Sequence, residues 1–83
     1  MEEEVKMVHK FIVSGDEYTA PETIVYRGKK YELFISSVSI YKNIINEFTK
    51  YYKEKGYKTV VKTIRSKTTK RPAYVIYRRW ISG

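Results

Sequence analysis

The sequence predicts a single α+β domain: a mostly antiparallel sheet of four to five strands with one amphipathic helix, in the order β-β-β-α-β-β. Three observations support this fold class. A chain of 83 residues is long enough for one domain only. Apolar residues alternate with period two in several segments, which is typical of strands, and recur at helical spacing in one segment. We expect residues 1–83 to form this domain, with residues 1–4 as a disordered acidic tail.

The first strand is predicted over residues 5–13, where side chains alternate between two faces. His9 lies on the more apolar face, where we expect a satisfied, partly buried histidine rather than a catalytic base. Turn-forming residues at 14–17 end the strand, and the stretch up to Thr23, which contains Pro21, is interpreted as a loop. Three carboxylates in this stretch are expected to be solvated: Asp16, Glu17 and Glu22.

A β-hairpin is predicted over residues 23–36, because two β-rich runs flank a short turn sequence. If positions 28–29 form a two-residue type II′ turn, Gly28 supplies the positive φ that this turn requires. The resulting register pairs Tyr26 with Tyr31 on one face of the hairpin.

The helix is predicted over residues 39–55. Seven apolar side chains recur on one face: Ile40, Tyr41, Ile44, Ile45, Phe48, Tyr51 and Tyr52. Ser37 or Ser39 is positioned to accept a free backbone N–H at the start, and Gly56 to adopt the left-handed conformation that ends many helices. We expect the tyrosines of this stripe to pack in the core.

Two further strands are predicted at 57–65 and 73–81, joined by a polar loop. The second of them has apolar residues on both faces: Tyr74, Ile76 and Trp80 on one, and Val75, Tyr77 and Ile81 on the other. Both faces must therefore be covered, and a single helix covers only one. We expect the second face to meet the first strand, another subunit or a ligand.

Residue usage limits the kinds of site that the chain can build. It has no Cys and one His, so disulfides are excluded and we expect no metal site and no cofactor. Small domains without such supports commonly self-associate, and we therefore expect a homodimer. No segment approaches the roughly 18 apolar residues of a membrane span. We expect a cytoplasmic protein without a membrane partner.

The formal net charge of +8 is distributed unevenly. Residues 1–48 hold six basic and eight acidic residues, whereas residues 49–83 hold eleven basic residues and one acidic residue. Such an asymmetry favours a polyanion as partner, although a solvated, solubilising surface would have the same composition. The abundance of Lys and Glu and the absence of Gln and Cys follow the thermophile trend, and we expect a thermophilic archaeon or one of its viruses as the source. An AT-rich genome would also favour Lys, Ile and Tyr.

The strongest local signal is the loop at 65–71, in which four residues are basic and three carry hydroxyl groups. Basic side chains neutralise phosphates, and hydroxyl groups hydrogen-bond to phosphate oxygens. A mobile, solvated loop is the alternative interpretation. The last strand interleaves aromatic residues with Arg78 and Arg79, so Trp80 could stack on bases or pack in the core.

The preferred function is non-enzymatic binding of DNA or RNA, mainly through backbone phosphates, since no catalytic constellation is recognisable. Eight basic residues are the candidate contacts: Lys58, Lys62, Arg65, Lys67, Lys70, Arg71, Arg78 and Arg79. The alternative belongs to another class. It is a small protein-interaction or inhibitory module, of viral origin, that docks on an acidic host protein.

Overall fold

The computed structural model describes residues 8–34 and 38–81, and the described part contains six strands and one helix. The strands are β1 (Val8–Val13), β2 (Asp16–Pro21), β3 (Thr23–Tyr26), β4 (Lys29–Leu33), β5 (Tyr57–Arg65) and β6 (Pro72–Trp80), and the helix is α1 (Lys42–Glu54). The predicted α+β class is confirmed. The element order is β-β-β-β-α-β-β, because the stretch interpreted as a loop forms β2. The predicted acidic tail lies outside the described residues.

The strands form two antiparallel sheets. A two-stranded sheet consists of β1 and β2, which pair from Val8 with Pro21 to Val13 with Asp16. The four-stranded sheet has the order β3-β4-β6-β5, so β6 is an interior strand. On the edge of β6 that pairs with β4, the strand extends beyond the end of β4. There Tyr74 forms an isolated bridge with Ser39. The strand that comes last along the chain is therefore central to the sheet.

The β3–β4 hairpin has a different turn from the predicted one. Tyr26 pairs with Lys29, and the two turn residues are Arg27 and Gly28, with φ of 51° and 76°. Two consecutive positive φ values are the signature of a type I′ turn, so the predicted type II′ turn is wrong. The register differs by two residues, which leaves each side chain on its predicted face. Tyr26 now meets Tyr31 diagonally, with ring centroids 6.0 Å apart in an edge-to-face arrangement.

The helix is shorter at its start than predicted. Ser39 is extended, because it exchanges backbone hydrogen bonds with Tyr74, and α1 begins only at Lys42. The Ser39 hydroxyl accepts the backbone N–H of Tyr41 at 3.0 Å in a local turn, and within the described residues no side chain caps the helix. Ser37, the other predicted cap, lies outside the described residues. At the other end the prediction is confirmed: Gly56 has a φ of 99° and closes the last turn.

Strand β6 carries a hydrophobic core on each of its faces. On one face, Ile76 is fully buried against Ile45 and Tyr52 of α1. On the other face, Val75 and Tyr77 are buried in a cluster that includes side chains of β1 and β2. The β1–β2 hairpin of the same chain therefore covers the second face of β6. Contact with the first strand was one of the three expected ways of covering this face. That removes one reason for expecting a homodimer, whose existence stays a prediction.

Two buried tyrosines of the hairpin-side core differ in how their hydroxyl groups are satisfied. The Tyr77 hydroxyl donates a hydrogen bond to the Pro21 carbonyl oxygen at 2.6 Å. The Tyr18 hydroxyl is fully buried and has no hydrogen-bond partner among the described residues. A buried polar group without a partner costs about 1–3 kcal/mol of desolvation. The two residues therefore form a matched pair for mutation.

Replacing Tyr18 with Phe is expected to raise the free energy of unfolding by about 1 kcal/mol, because the unpaired hydroxyl is removed and the ring stays. Replacing Tyr77 with Phe is expected to lower it by about 1 kcal/mol, since a made hydrogen bond is lost. Urea denaturation of both variants measures the two changes. Equal losses in both variants would show that the Tyr18 hydroxyl does have a partner.

Candidate nucleic-acid interface

The structure separates the eight predicted contact residues into two groups. One group lies at the end of β5 and in the loop that follows it, a segment that we call the tip (residues 65–71): Arg65, Lys67, Lys70 and Arg71. The other lies where β5 begins and β6 ends, which we call the Trp80 end: Lys58, Arg78 and Arg79. Lys62 is exposed on β5 between them. With a rise of about 3.3 Å per residue, a strand as long as β5 places the groups roughly 25–30 Å apart.

The tip is a hydrogen-bonded turn in which every residue except Ser66 is exposed. Ser66 is 1% exposed, and its hydroxyl oxygen accepts the backbone N–H groups of Thr68 and Thr69, each at 3.3 Å. The guanidinium of Arg65 donates to the carbonyl oxygen of Lys70 at 3.0 Å, and Lys70 has a φ of 63°. Arg65 thus supports the turn with the same group that would contact a phosphate.

The tip also lies against two acidic residues at the start of β2. The Thr69 hydroxyl donates to Asp16 Oδ2 at 3.0 Å, and the backbone N–H of Lys67 donates to the Glu17 carbonyl oxygen at 3.4 Å. Asp16 and Glu17 are therefore strand residues docked on the tip, not a solvated acidic loop. Their negative charges offset part of the positive field that the tip sequence predicts.

The Trp80 end combines an exposed aromatic ring with oriented cations. Trp80 is 56% exposed and meets Tyr57, its cross-strand partner, edge to face at 4.9 Å between ring centroids. The guanidinium of Arg78 lies 4.1 Å from the ring centroid of Phe34 and 4.7 Å from that of Tyr57. Such cation–π contacts hold a charge in place without neutralising it. A groove of about 330 Å³ here is lined by Lys30, Glu32, Tyr57, Arg78, Arg79 and Trp80.

A second groove, of about 520 Å³, opens at the same end of the sheet. Its lining residues are Tyr26, Arg27, Tyr31, Lys53, Tyr57, Lys58, Thr59 and Ile81. In the described part of the chain, the two grooves together are lined by six cationic side chains and by one carboxylate, that of Glu32. The Trp80 end therefore concentrates positive charge with less internal compensation than the tip.

Several residues of this surface were not among the predicted contacts. Lys30 comes from β4, outside the basic C-terminal half of the sequence. Lys53 comes from α1 and belongs to that half, but it lies away from the loop signal at 65–71. Only the pairing of β4 with β6 shows that Lys30 lies beside Arg78 and Trp80.

The tyrosines of the helix were predicted to be core residues, and the structure corrects two of them. Tyr52 is buried, whereas Tyr41 is 59% exposed and Tyr51 is 51% exposed. Ile44 is exposed as well, because only one side of the apolar stripe reaches the sheet. The helix therefore presents an apolar flank to solvent.

His9 is satisfied and half-buried, as predicted, since its Nε2 atom lies 3.2 Å from Glu22 Oε1. No group of three or more His, Cys, Asp or Glu side chains that could hold a metal ion occurs within residues 8–34 and 38–81. In the same residues, no helix has the length and apolar character needed to cross a membrane.

Comparisons with known proteins identified no relative of this chain. No protein-family model, curated protein or solved structure matches the chain.

Proposed function

We propose that the protein binds nucleic acid at the Trp80 end and prefers single strands. The observation that carries this proposal is the exposed indole ring of Trp80, in a groove lined by Lys30, Arg78 and Arg79. Large aromatic side chains are usually buried, so an exposed ring flanked by cations points to a ligand that is both flat and anionic. Proteins that bind single strands combine aromatic stacking with positive grooves in this way.

Charge and geometry assign different tasks to the cations of the groove. Arg78 is held between Phe34 and Tyr57, so its guanidinium is oriented before any ligand arrives. Lys30 and Arg79 line the same groove without a carboxylate partner in the described part of the chain. They are the residues that we expect to contact phosphates, while Trp80 stacks on a base.

A preference for single strands follows from the stacking step. The face of a base is accessible to an indole ring only when the base is unstacked, and single strands provide such bases at little energetic cost. A duplex would offer phosphates to the same cations and would leave the ring unused. We therefore expect a lower affinity for duplex DNA at equal salt concentration.

Replacing Trp80 with Ala is expected to weaken the binding of a labelled single-stranded oligonucleotide by about 1–3 kcal/mol, the range for one base–aromatic stack. Fluorescence anisotropy of the labelled oligonucleotide measures this change. Tyr41→Ala is the matched control, because it removes an equally exposed aromatic ring from the helix. Equal affinities of the two variants would contradict the proposal.

The contribution of charge can be tested with two triple variants that lose the same charge at opposite ends. Lys30, Lys58 and Arg79 are replaced with Ala in one, and Lys67, Lys70 and Arg71 in the other. On single strands, log K should change with log salt by about −0.7 per phosphate contacted. We expect the first variant to flatten this slope by up to about 2, and the second by less. A larger effect of the second variant would assign binding to the tip.

A second candidate function is favoured by the apolar flank of the helix. Tyr41, Ile44 and Tyr51 are exposed along one side of α1, and the ammonium group of Lys55 lies 5.4 Å from the Tyr51 ring centroid. Exposed apolar residues bordered by a cation suit an acidic protein partner. This interaction or inhibitory role gains weight if oligonucleotides do not bind at low salt.

A further inference from the structure

We infer that the 520 Å³ groove at the Trp80 end is a nucleotide site, which binds a phosphate monoester together with the attached nucleoside. The inference goes beyond the proposed function, since it concerns a different groove from the one beside Trp80 and requires no oligonucleotide. It rests on the charge of the lining, on the aromatic side chains of the groove and on its volume.

Among the described residues, the lining has three cations and no carboxylate. Arg27 comes from the β3–β4 turn, Lys53 from the last turn of α1 and Lys58 from β5, so three separate elements converge on one groove. None of the three forms an ion pair with a carboxylate in residues 8–34 and 38–81. Like charges that converge without a counter-charge repel each other, and an anion in the groove relieves that repulsion. A phosphate monoester carries a charge of about −1.5 to −2 at neutral pH, more than the single charge of a diester.

Aromatic rings provide the surface for the nucleoside. Tyr31 is 5% exposed and fixed in the core, and Tyr26 packs on it edge to face while keeping 38% of its own surface exposed. The guanidinium of Arg27 lies 5.4 Å from the Tyr26 ring centroid. Charge and ring are thus adjacent in one residue pair, as a ligand that joins a phosphate to a planar base requires.

The volume of the groove agrees with such a ligand. Sites for small molecules occupy about 300–1,000 Å³ and are lined by apolar and aromatic side chains with a few placed polar groups. Tyr57 and Ile81 add apolar surface, and Thr59 adds a hydroxyl group. The same chemistry belongs to a free nucleotide and to the phosphorylated end of a strand.

The test uses the full chain and compares thymidine monophosphate with thymidine and with inorganic phosphate by isothermal titration calorimetry. We expect the monophosphate to bind at least about tenfold more tightly than thymidine, the usual weight of a charge-assisted hydrogen bond. It should also bind more tightly than inorganic phosphate, because of the aromatic contact. Equal affinity for thymidine, or for phosphate alone, would overturn the inference.

Two variants locate the site. Arg27→Ala and Lys53→Ala should each weaken binding of the monophosphate about tenfold. Lys50→Ala removes the same charge from an exposed helix position outside the groove and should leave binding unchanged. Circular dichroism of Arg27→Ala checks that the hairpin is intact, and Lys53→Ala gives the answer if it is not. Equal effects of Lys50→Ala and Lys53→Ala would contradict a site in this groove.

Two further binding measurements identify the source of the phosphate and distinguish this inference from the proposed function. A 5′-phosphorylated oligonucleotide that binds more tightly than both its 5′-hydroxyl form and the free nucleotide indicates a strand end, whereas tighter binding of the free nucleotide indicates a mononucleotide. Trp80→Ala should leave monophosphate binding unchanged, since Trp80 does not line this groove. If the protein binds the monophosphate but Trp80→Ala leaves oligonucleotide affinity unchanged, the proposed function alone is overturned.

Discussion

Replacing Ile45 with Ala is expected to lower the free energy of unfolding by about 2–5 kcal/mol, the usual cost of truncating a buried isoleucine. The Ile45 side chain is fully buried and belongs to the cluster in which Tyr52 and Ile76 pack between helix and sheet. Truncation leaves a cavity at the centre of this layer. Chemical denaturation monitored by circular dichroism measures the change.

The neighbouring isoleucine provides the control for this experiment. Ile44 is 41% exposed on the apolar flank of α1, so Ile44→Ala should cost less than about 1 kcal/mol. Both substitutions remove the same atoms from the same helix, and both raise its intrinsic helix propensity alike. The difference between them therefore reports burial. Similar losses at the two positions would mean that α1 packs on the sheet with a different face.

The second large effect is expected at alkaline pH, where burial raises the pKa of Tyr77 to about 12 from its ordinary value of 10.0. Between these values the unfolded chain releases a proton that the folded chain retains. The contribution of Tyr77 to stability is therefore fully present below pH 10 and is lost as the pH rises towards 12. The slope approaches about 1.4 kcal/mol per pH unit, and the total loss is on the order of 3 kcal/mol.

Unfolding free energies at pH 8, 10 and 11, compared between the protein and Tyr77→Phe, measure this effect. The variant should be less stable at pH 8, because the hydrogen bond to Pro21 is lost, and should decline less steeply above pH 10. All other ionisable groups are common to both proteins, so the difference between the two proteins isolates Tyr77. Tyr52, whose pKa burial also raises, should leave a residual slope in the variant. Parallel declines would contradict a buried, protonated Tyr77.

The elements that could be predicted from sequence are those with a local cause. The helix follows from an apolar repeat within one segment, and Gly56 marks its end through its own backbone preference. Strand β2 was not predicted, because Pro21 and the turn residues that precede it are typical of a loop. Its backbone forms a strand because it pairs with β1. Pairing between strands is a tertiary effect, which local patterns do not report.

The candidate site shows the same division between local and tertiary information. Counting charges along the chain favoured the tip, although Asp16 and Glu17 dock on it from a distant part of the sequence. The Trp80 end gains Lys30 through the pairing of β4 with β6. Exposure of Trp80 could not be predicted either, because its strand is apolar on both faces and only the folded chain shows that position 80 is left uncovered.

The central position of β6 has a consequence for how the chain acquires its fold during synthesis. Both cores are built around this strand, yet β1 to β5 and the helix all precede it along the chain. A nascent chain that stops before Pro72 has its early hairpins but neither of the clusters that would hold them against the helix. Cooperative folding is therefore delayed until the β6 segment has emerged from the ribosome, and the apolar faces of the earlier elements stay uncovered until then.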